Sequence, residues 1–307
     1  MASKFFEHFV AITDAINMVG GEGLWDAEDG FYYDQIRTGG RATRLKVRSM
    51  VGLIPLFAVE ILEESVLEAL PAFTRRMRWF LDNRPEFAKH VTRTRGADGA
   101  DRHILLAIAS QEQLVRVLRY ALDENEFLSP NGVRSLSKVH RTRPFVLHSD
   151  HSASQVDYVP GDSTTRMFGG NSNWRGPIWF PVNFLLIEAL ERYHHFYGDS
   201  VRVECPTGSG TWLTLGQVAH ELASRLCRLF LPDATGQRPF AGADRLFAND
   251  PKARQLLLFH EYFDGDTGRG LGASHQTGWT GLVTRCLEYV ARVRRQGAAA
   301  ATVVRER

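Results

Sequence analysis

Residues 168–183 read Phe-Gly-Gly-Asn-Ser-Asn-Trp-Arg-Gly-Pro-Ile-Trp-Phe-Pro-Val-Asn, and the reading of this stretch decides how the rest of the chain is arranged. Glycine and proline at this density set unusual backbone angles, and the segment opens directly into an apolar run, Phe184–Leu190. It is a shaped loop ahead of a helix rather than a linker. Trp, Arg and Asn side chains offer flat surfaces and hydrogen-bond forks suited to a polar, ring-shaped ligand. A helix N-terminus buried on aromatic side chains has the same composition, and this loop alone does not choose between the two.

Outward from the loop, helical spacing dominates. Phe5, Phe9, Ile12, Ile16 and Val19 recur at steps of three and four and predict one apolar face of a helix ended by Gly20-Gly21. Leu24–Asp34 predicts a loop with a short strand. A helix is expected from about Pro55 to Leu67, another from Pro71 through Phe80, and a surface connection from Asn83 to Asp101. Ile104, Ile108, Val115, Leu118 and Leu122 predict a long helix. The stretch from Phe127 to Gly170 has no period, and such length without structure in a compact domain usually carries function. Val201–Trp212, with Gly208-Ser-Gly210, predicts a hairpin or an excursion, and Thr214-Leu-Gly-Gln217 has the form of a capping box. A short helix near Lys252–Leu258 and a last amphipathic one through Trp279, Leu282, Cys286, Val290 and Val293 complete the expectation. Helices joined by long decorated loops imply an all-α architecture of packed helical hairpins.

Composition bounds the function. The chain has 307 residues, 44% of them hydrophobic and 23% charged, and 37 Lys+Arg against 35 Asp+Glu leave +2, too little for a nucleic-acid footprint. The N-terminus lacks a continuous apolar run, and Glu or Arg interrupts every other apolar segment, so a soluble, non-membrane, cytoplasmic protein is expected. Cys205, Cys227 and Cys286 are odd in number and have no metal-type spacing. The sharpest chemical candidate is Glu261 in Leu256-Leu-Leu-Phe-His-Glu-Tyr-Phe-Asp-Gly265, read as an apolar helix end meeting an acidic turn. A carboxylate held there against a pocket wall suits a general base, although an exposed Glu at a helix end is the commoner occurrence. His148, Asp150 and His151 lack a third metal ligand, and Asp264-x-Asp266-x-Gly268 lacks the oxygen set of a calcium loop. Gly208-Ser-Gly210 is too short to cradle phosphates. Glycoside hydrolysis needs two carboxyl groups, and Asp26, Asp29, Asp34, Asp157 and Asp162 lie in loops able to face Glu261.

Five blocks then join in order: Trp25-Asp-Ala-Glu-Asp-Gly-Phe-Tyr-Tyr-Asp34, Asn131-Gly-Val-Arg-Ser-Leu-Ser137, Asn173-Trp-Arg-Gly-Pro-Ile-Trp179 with Asn183, His260-Glu-Tyr-Phe-Asp264, and Gly278-Trp-Thr280. Together they resemble the C-terminal part of glycoside hydrolase family 63, whose relatives include bacterial proteins similar to mannosyl-oligosaccharide glucosidase and mannosylglycerate hydrolase. The resemblance implies an (α/α)6 toroid over residues 1–296, incomplete here with about eight of twelve helices, and the Ala/Arg-rich residues 297–307 are expected to be a flexible tail. It implies inverting hydrolysis of α-linked glucosyl or mannosyl substrates without metal or other cofactor. Glu261 matches the family's general base. Trp174 and Arg175 would line the sugar subsite, with Trp25, Tyr33, Asp34, Asn183 and Trp279 as further wall residues. The family's acid-bearing Gly-Leu/Met-Asp-Asp/Asn block has no counterpart here, so an upstream segment or partner chain is expected to complete the toroid. A non-catalytic sugar-binding or assembly module is the alternative.

Overall fold

The computed structural model describes residues 1–18, 23–88, 91–95, 101–149, 152–162, 174–244, 246–247 and 250–305. Phe168–Asn173 of the opening stretch, Val19, Gly20, Gly21, Asp150 and His151 lie outside them. The chain is not all-α. Six two-stranded antiparallel pairs and one three-stranded sheet accompany the helices among the described residues, which overturns the expectation of an (α/α)6 toroid built from helices alone. The chain divides into two units, Met1–Leu118 with Glu191–Val201, and Arg119–Leu190 with Arg202–Arg307.

The first unit opens with α1 (Ala2–Met18), followed by the hairpins β1 (Trp25–Asp26) with β2 (Phe31–Tyr32) and β3 (Asp34–Thr38) with β4 (Arg41–Leu45). A 3-10 turn over Met50–Leu56 leads to β5 (Val59–Glu63), α2 (Glu64–Ala69), α3 (Pro71–Asn83), α4 (Pro85–Ala88), β6 (Val91–Arg95), β7 (Asp101–Ala107) and α5 (Gln111–Ala121). The sheet order is β5-β7-β6, antiparallel throughout. Two expected helices are therefore strands in part: Pro55–Leu67 contains β5, and the long helix from Ile104 begins only at Gln111. The cause is burial on both faces of β7. Ile104 and Leu106 join Phe6, Val10, Phe73 and Met77 in one core cluster, while the intervening Leu105 is buried too, so the run is apolar without alternation. The true helix start carries a reciprocal cap. Ser110 Oγ accepts the Gln113 N–H at 3.2 Å, and Gln113 Oε1 accepts the Ser110 N–H at 2.9 Å. The expected surface connection Asn83–Asp101 likewise holds α4 and β6.

In the second unit come the hairpins β8 (Leu128–Ser129) with β9 (Gly132–Val133) and β10 (Phe145–Ser149) with β11 (Ser152–Val156). They are followed by α6 (Phe180–Tyr197), which passes into the first unit after Leu190. The expected hairpin is β12 (Arg202–Glu204) with β13 (Trp212–Thr214), and α7 (Leu215–Arg228) starts on the expected capping box of Thr214 and Gln217. Last come β14 (Tyr262–Phe263) with β15 (Gly270–Leu271) and the terminal helix Val283–Arg305. The expected helix near Lys252–Leu258 is only a 3-10 turn over Ala253–Gln255, and Leu256 and Leu257 are exposed. Among the described residues, no helix is long and apolar enough to cross a membrane.

In α1 the expected helix forms, but its buried line is Phe6, Val10 and Thr13, while Phe5 and Ile12 face outward. Phe6 meets Phe73 and Phe80 edge to face at 6.2 and 5.8 Å between ring centroids. Phe6→Ala should therefore destabilise the protein by about 3–5 kcal/mol in urea unfolding. Its neighbour substitution, Phe5→Ala, should stay within about 0.5 kcal/mol of wild type.

Candidate functional site

The second unit gathers aromatic side chains around Trp179, whose position follows from the backbone of Arg175–Ile178. Ile178 and Phe263 exchange both backbone hydrogen bonds, at 2.7 and 2.9 Å, and Ile178 also bridges to Arg134 on its other side. The Ser135 N–H donates to the Pro177 carbonyl at 3.0 Å and the Val159 N–H to the Arg175 carbonyl at 2.7 Å. Ser135 Oγ accepts the Gly176 N–H at 3.1 Å. Only glycine fits at 176, because a Cβ would stand 2.2 Å from the Val159 carbonyl oxygen.

So held, Trp179 stacks on Trp174 at 4.1 Å with the rings 10° apart and on Tyr262 at 4.9 Å, while Trp279 meets it edge-on at 5.9 Å. Trp179 and Tyr262 are buried, and Trp174 keeps 38% of its surface exposed. The result is a layered aromatic block with one open indole face. Tyr262 Oη donates to Asp162 at 2.5 Å, and Trp279 Nε1 is buried with no hydrogen-bond partner among the described residues.

Glu261 adjoins this block by its bond to Tyr262. It precedes a two-residue strand rather than ending a helix, which corrects the sequence expectation. Its N–H donates to the Ala273 carbonyl at 2.8 Å, and its Oε2 accepts the Ala273 N–H at 3.3 Å. Gly272, at φ +67°, leaves room for the carboxylate, since a Cβ there would lie 2.7 Å from Oε2. Among the described residues, the half-buried carboxylate thus keeps accepting capacity beyond the Ala273 N–H.

Arg175 is 1% exposed, and its guanidinium lies 3.3 Å from Asp157. Asn183 is buried, accepts the Val133 N–H at 2.7 Å and donates to the carbonyls of Val133 and Trp179 at 2.9 and 3.0 Å. Both belong to the frame that carries the aromatic block. Trp25, Tyr33 and Asp34 lie in the first unit. The Trp25 ring meets Tyr32 at 4.9 Å under Arg116, Tyr33 is buried with its hydroxyl 3.0 Å from Asp29, and Asp34 is exposed at the start of β3. Burial pushes the Tyr33 phenol up and away from titration.

A polar network absent from the sequence reading supports the same loops. Tyr158 Oη donates to Asp266 at 2.9 Å, Arg134 Nε donates to Tyr158 Oη at 3.1 Å, and Arg141 reaches Asp266 at 2.5 Å. Burial acts to raise the Asp266 pKa, but the Arg141 and Tyr158 hydrogen bonds and two arginine charges outweigh it and hold the group below the usual carboxylate range. Asp264 Oδ1 accepts from the Asp266 and Thr267 N–H groups and the Thr267 hydroxyl, closing the acidic turn on itself. Polar residues 108 and 132 positions apart in sequence meet here, so only long-range contact information would have revealed the network.

His260, beside Glu261, packs its ring against Phe240 and Phe263 and over Gly270, and its Nδ1 is buried without a partner among the described residues. Burial lowers its pKa from 6.5. The unfolded chain then binds a proton that the folded chain refuses. This contribution to stability is complete above about pH 6.5 and is lost as pH falls through that value toward the lower folded one. Urea unfolding between pH 8 and 5 should show stability falling with acid by at most about 1.4 kcal/mol per pH unit from this group. His260→Phe should flatten that part of the curve.

Comparison with known proteins supports the family resemblance. The family described as mannosylglycerate hydrolase MGH1-like glycoside hydrolase domain matches residues 92–280, which contain the aromatic block, Glu261 and the Asp266 network. The uncharacterized protein YMR196W of Saccharomyces cerevisiae is 46% identical over 305 residues, 94% of this chain but 28% of that protein. A probable mannosyl-oligosaccharide glucosidase of Schizosaccharomyces pombe is 26% identical over 179 residues, 58% of this chain and 16% of that protein. The chain thus spans less than a third of either relative's length. With the family match covering more than half of its residues, the chain belongs to the MGH1-like glycoside hydrolase domain family and is related to mannosyl-oligosaccharide glucosidase.

Proposed function

We propose that this domain takes part in inverting hydrolysis of an α-linked glucosyl or mannosyl glycoside, with Glu261 as the general base that activates water. The observation that carries the reading is the junction of Glu261 with the Tyr262–Trp179–Trp174 stack, an accepting carboxylate one residue from an aromatic platform whose outer ring is open. Sugar rings present C–H faces to indole, so Trp174 gives the ring a stacking surface. Trp279 backs the stack edge-on against Trp179. Arg175 and Asn183 act as positioning residues, since both are buried and bonded within the protein.

The paired general acid must be protonated when substrate binds. Asp26 does not suit that role. Burial works to raise its pKa, but the Asp29 N–H, Lys46 and Arg44 outweigh it and keep the group ionised. Asp266 is held ionised in the same way by Arg141 and Tyr158. Since the family's acid-bearing block has no counterpart among residues 1–307, we assign the acid to a carboxyl group in the greater length that the curated relatives possess.

The full polypeptide that contains this domain should release the β-anomer first from α-glucosides or α-mannosides, as followed by proton NMR. Glu261→Gln should lower kcat by about 10²–10⁴ while binding survives. Wild-type turnover retained in that variant would remove Glu261 as the base, and sugar binding without turnover in the wild type would mark a non-catalytic module. Trp174→Ala should raise KM by about two- to tenfold with little change in kcat, the loss of one stacking contact.

A further inference from the structure

In the first unit, the pleat of the sheet sorts side chains by function. Along β7, Ile104 and Leu106 face the core cluster with α1 and α3, so His103 and Leu105 face the other way. Glu63, the last residue of β5, is registered directly opposite His103, and in an antiparallel pair such residues bring their Cβ atoms within about 4.5–5.5 Å. His195, near the end of α6, reaches the same carboxylate. His103 Nδ1 lies 2.7 Å from Glu63 Oε2 and His195 Nε2 lies 2.7 Å from Glu63 Oε1, with the imidazole planes 87° apart. One atom from each of the three residues can be chosen so that all lie within 4.8 Å of one another. Three elements distant in sequence thus converge on one carboxylate and two imidazoles.

From this convergence we propose a divalent zinc site made by Glu63, His103 and His195, with a water completing a tetrahedron. Ligand type is the first argument. Two neutral imidazoles and one carboxylate form a set that zinc accepts, and they give the centre a residual charge of +1 that a bound water or hydroxide tolerates. Geometry is the second. Tetrahedral bonds of about 2.0–2.1 Å place neighbouring ligand atoms roughly 3.3 Å apart. One ligand atom from each residue already lies within 4.8 Å of the others, and because the two 2.7 Å contacts reach different oxygens of Glu63, the carboxylate has to turn to offer one oxygen while the two imidazoles adjust to about 3.3 Å from it and from each other. Freedom to move is the third: His195 and His103 keep 62% and 43% of their side-chain surface exposed, and a rotamer adjustment at either meets little resistance. Without metal, each imidazole N–H donates to a separate carboxylate oxygen. Zinc would replace those shared protons and tie the end of α6 to the strands β5 and β7 inside the first unit.

The proposal concerns the fold of this unit and does not depend on the hydrolase reading. The test uses the full chain with any affinity tag removed, stripped with chelator and dialysed against zinc chloride, with cobalt(II) as a spectroscopic probe. Zinc should bind at about one equivalent per chain, raise Tm in a concentration-dependent way, and be competed by cobalt giving tetrahedral d–d absorption. His195→Ala and Glu63→Gln should each weaken zinc binding at least tenfold, while the metal-free Tm of His195→Ala, an exposed position, stays near wild type. Equal zinc affinity in wild type and both variants would overturn the site. So would a wild type that shows no zinc-dependent rise in Tm while Glu63→Gln lowers Tm, because the cluster would then be a hydrogen-bonded triad only.

Discussion

The double hydrogen bond between Ile178 and Phe263 is the constraint on which the second unit depends. It joins two segments that are 85 positions apart, one carrying Trp174–Trp179 and the other Glu261–Asp264. Once that pair forms, the residues beside it have little freedom. Trp179 follows Ile178 and Tyr262 precedes Phe263, so a register fixed at the pair leaves their two rings stacked at 4.9 Å. Slipping the pair by one residue would turn every side chain to the opposite face and break the stack. The bridges from Ile178 to Arg134 and from the Ser135 N–H to the Pro177 carbonyl secure the register from the other side.

The same arrangement explains why the loop's polar residues turn inward. Asn183 stands on the first turn of α6 and places three hydrogen bonds on Val133 and Trp179, which fixes the helix entry to the hairpin of β8 and β9. A buried amide so fully used is costly to divert to a ligand, since leaving its partners unsatisfied costs about 1–3 kcal/mol for each group. Arg175 obeys the same rule with a full charge, and Asp157 lies within ion-pair distance. Trp174, next in sequence, makes no such internal commitment of a polar group and keeps 38% of its surface exposed.

How much of this was legible depended on the range of the interactions involved. Local signals read correctly: the Thr214–Gln217 cap, the Val201–Trp212 hairpin and the helix from Pro71 are set by residues within a few positions of each other. The motif order led to the family because five blocks preserve local chemistry however the chain folds. The all-α architecture failed where burial came from both sides. Ile104–Ala109 is apolar at every position, and a central strand and a buried helix look alike in such a run. Phe5 against Phe6 failed for a related reason, since both fit an apolar stripe and only the aromatic partners Phe73 and Phe80 select one of them.

Glu261 shows the limit most clearly. Its identity was readable from the His-Glu-Tyr-Phe-Asp block, but its setting was not, because the preceding Leu256-Leu-Leu run suggested a helix that does not form. What holds Glu261 is the segment that follows β15. Ala273 exchanges two hydrogen bonds with it, one through its backbone and one through its carboxylate, and Gly272 clears the space the carboxylate occupies. A side chain on a larger residue at 272 would meet both a positive φ and the Glu261 oxygen, so the carboxylate would have to rotate away from the Ala273 N–H. The direction of Glu261 is thus fixed by a residue eleven positions later whose contribution is the absence of a side chain. Chemistry assigned to Glu261 is therefore equally a statement about Gly272, which no reading of the carboxylate block alone would have raised.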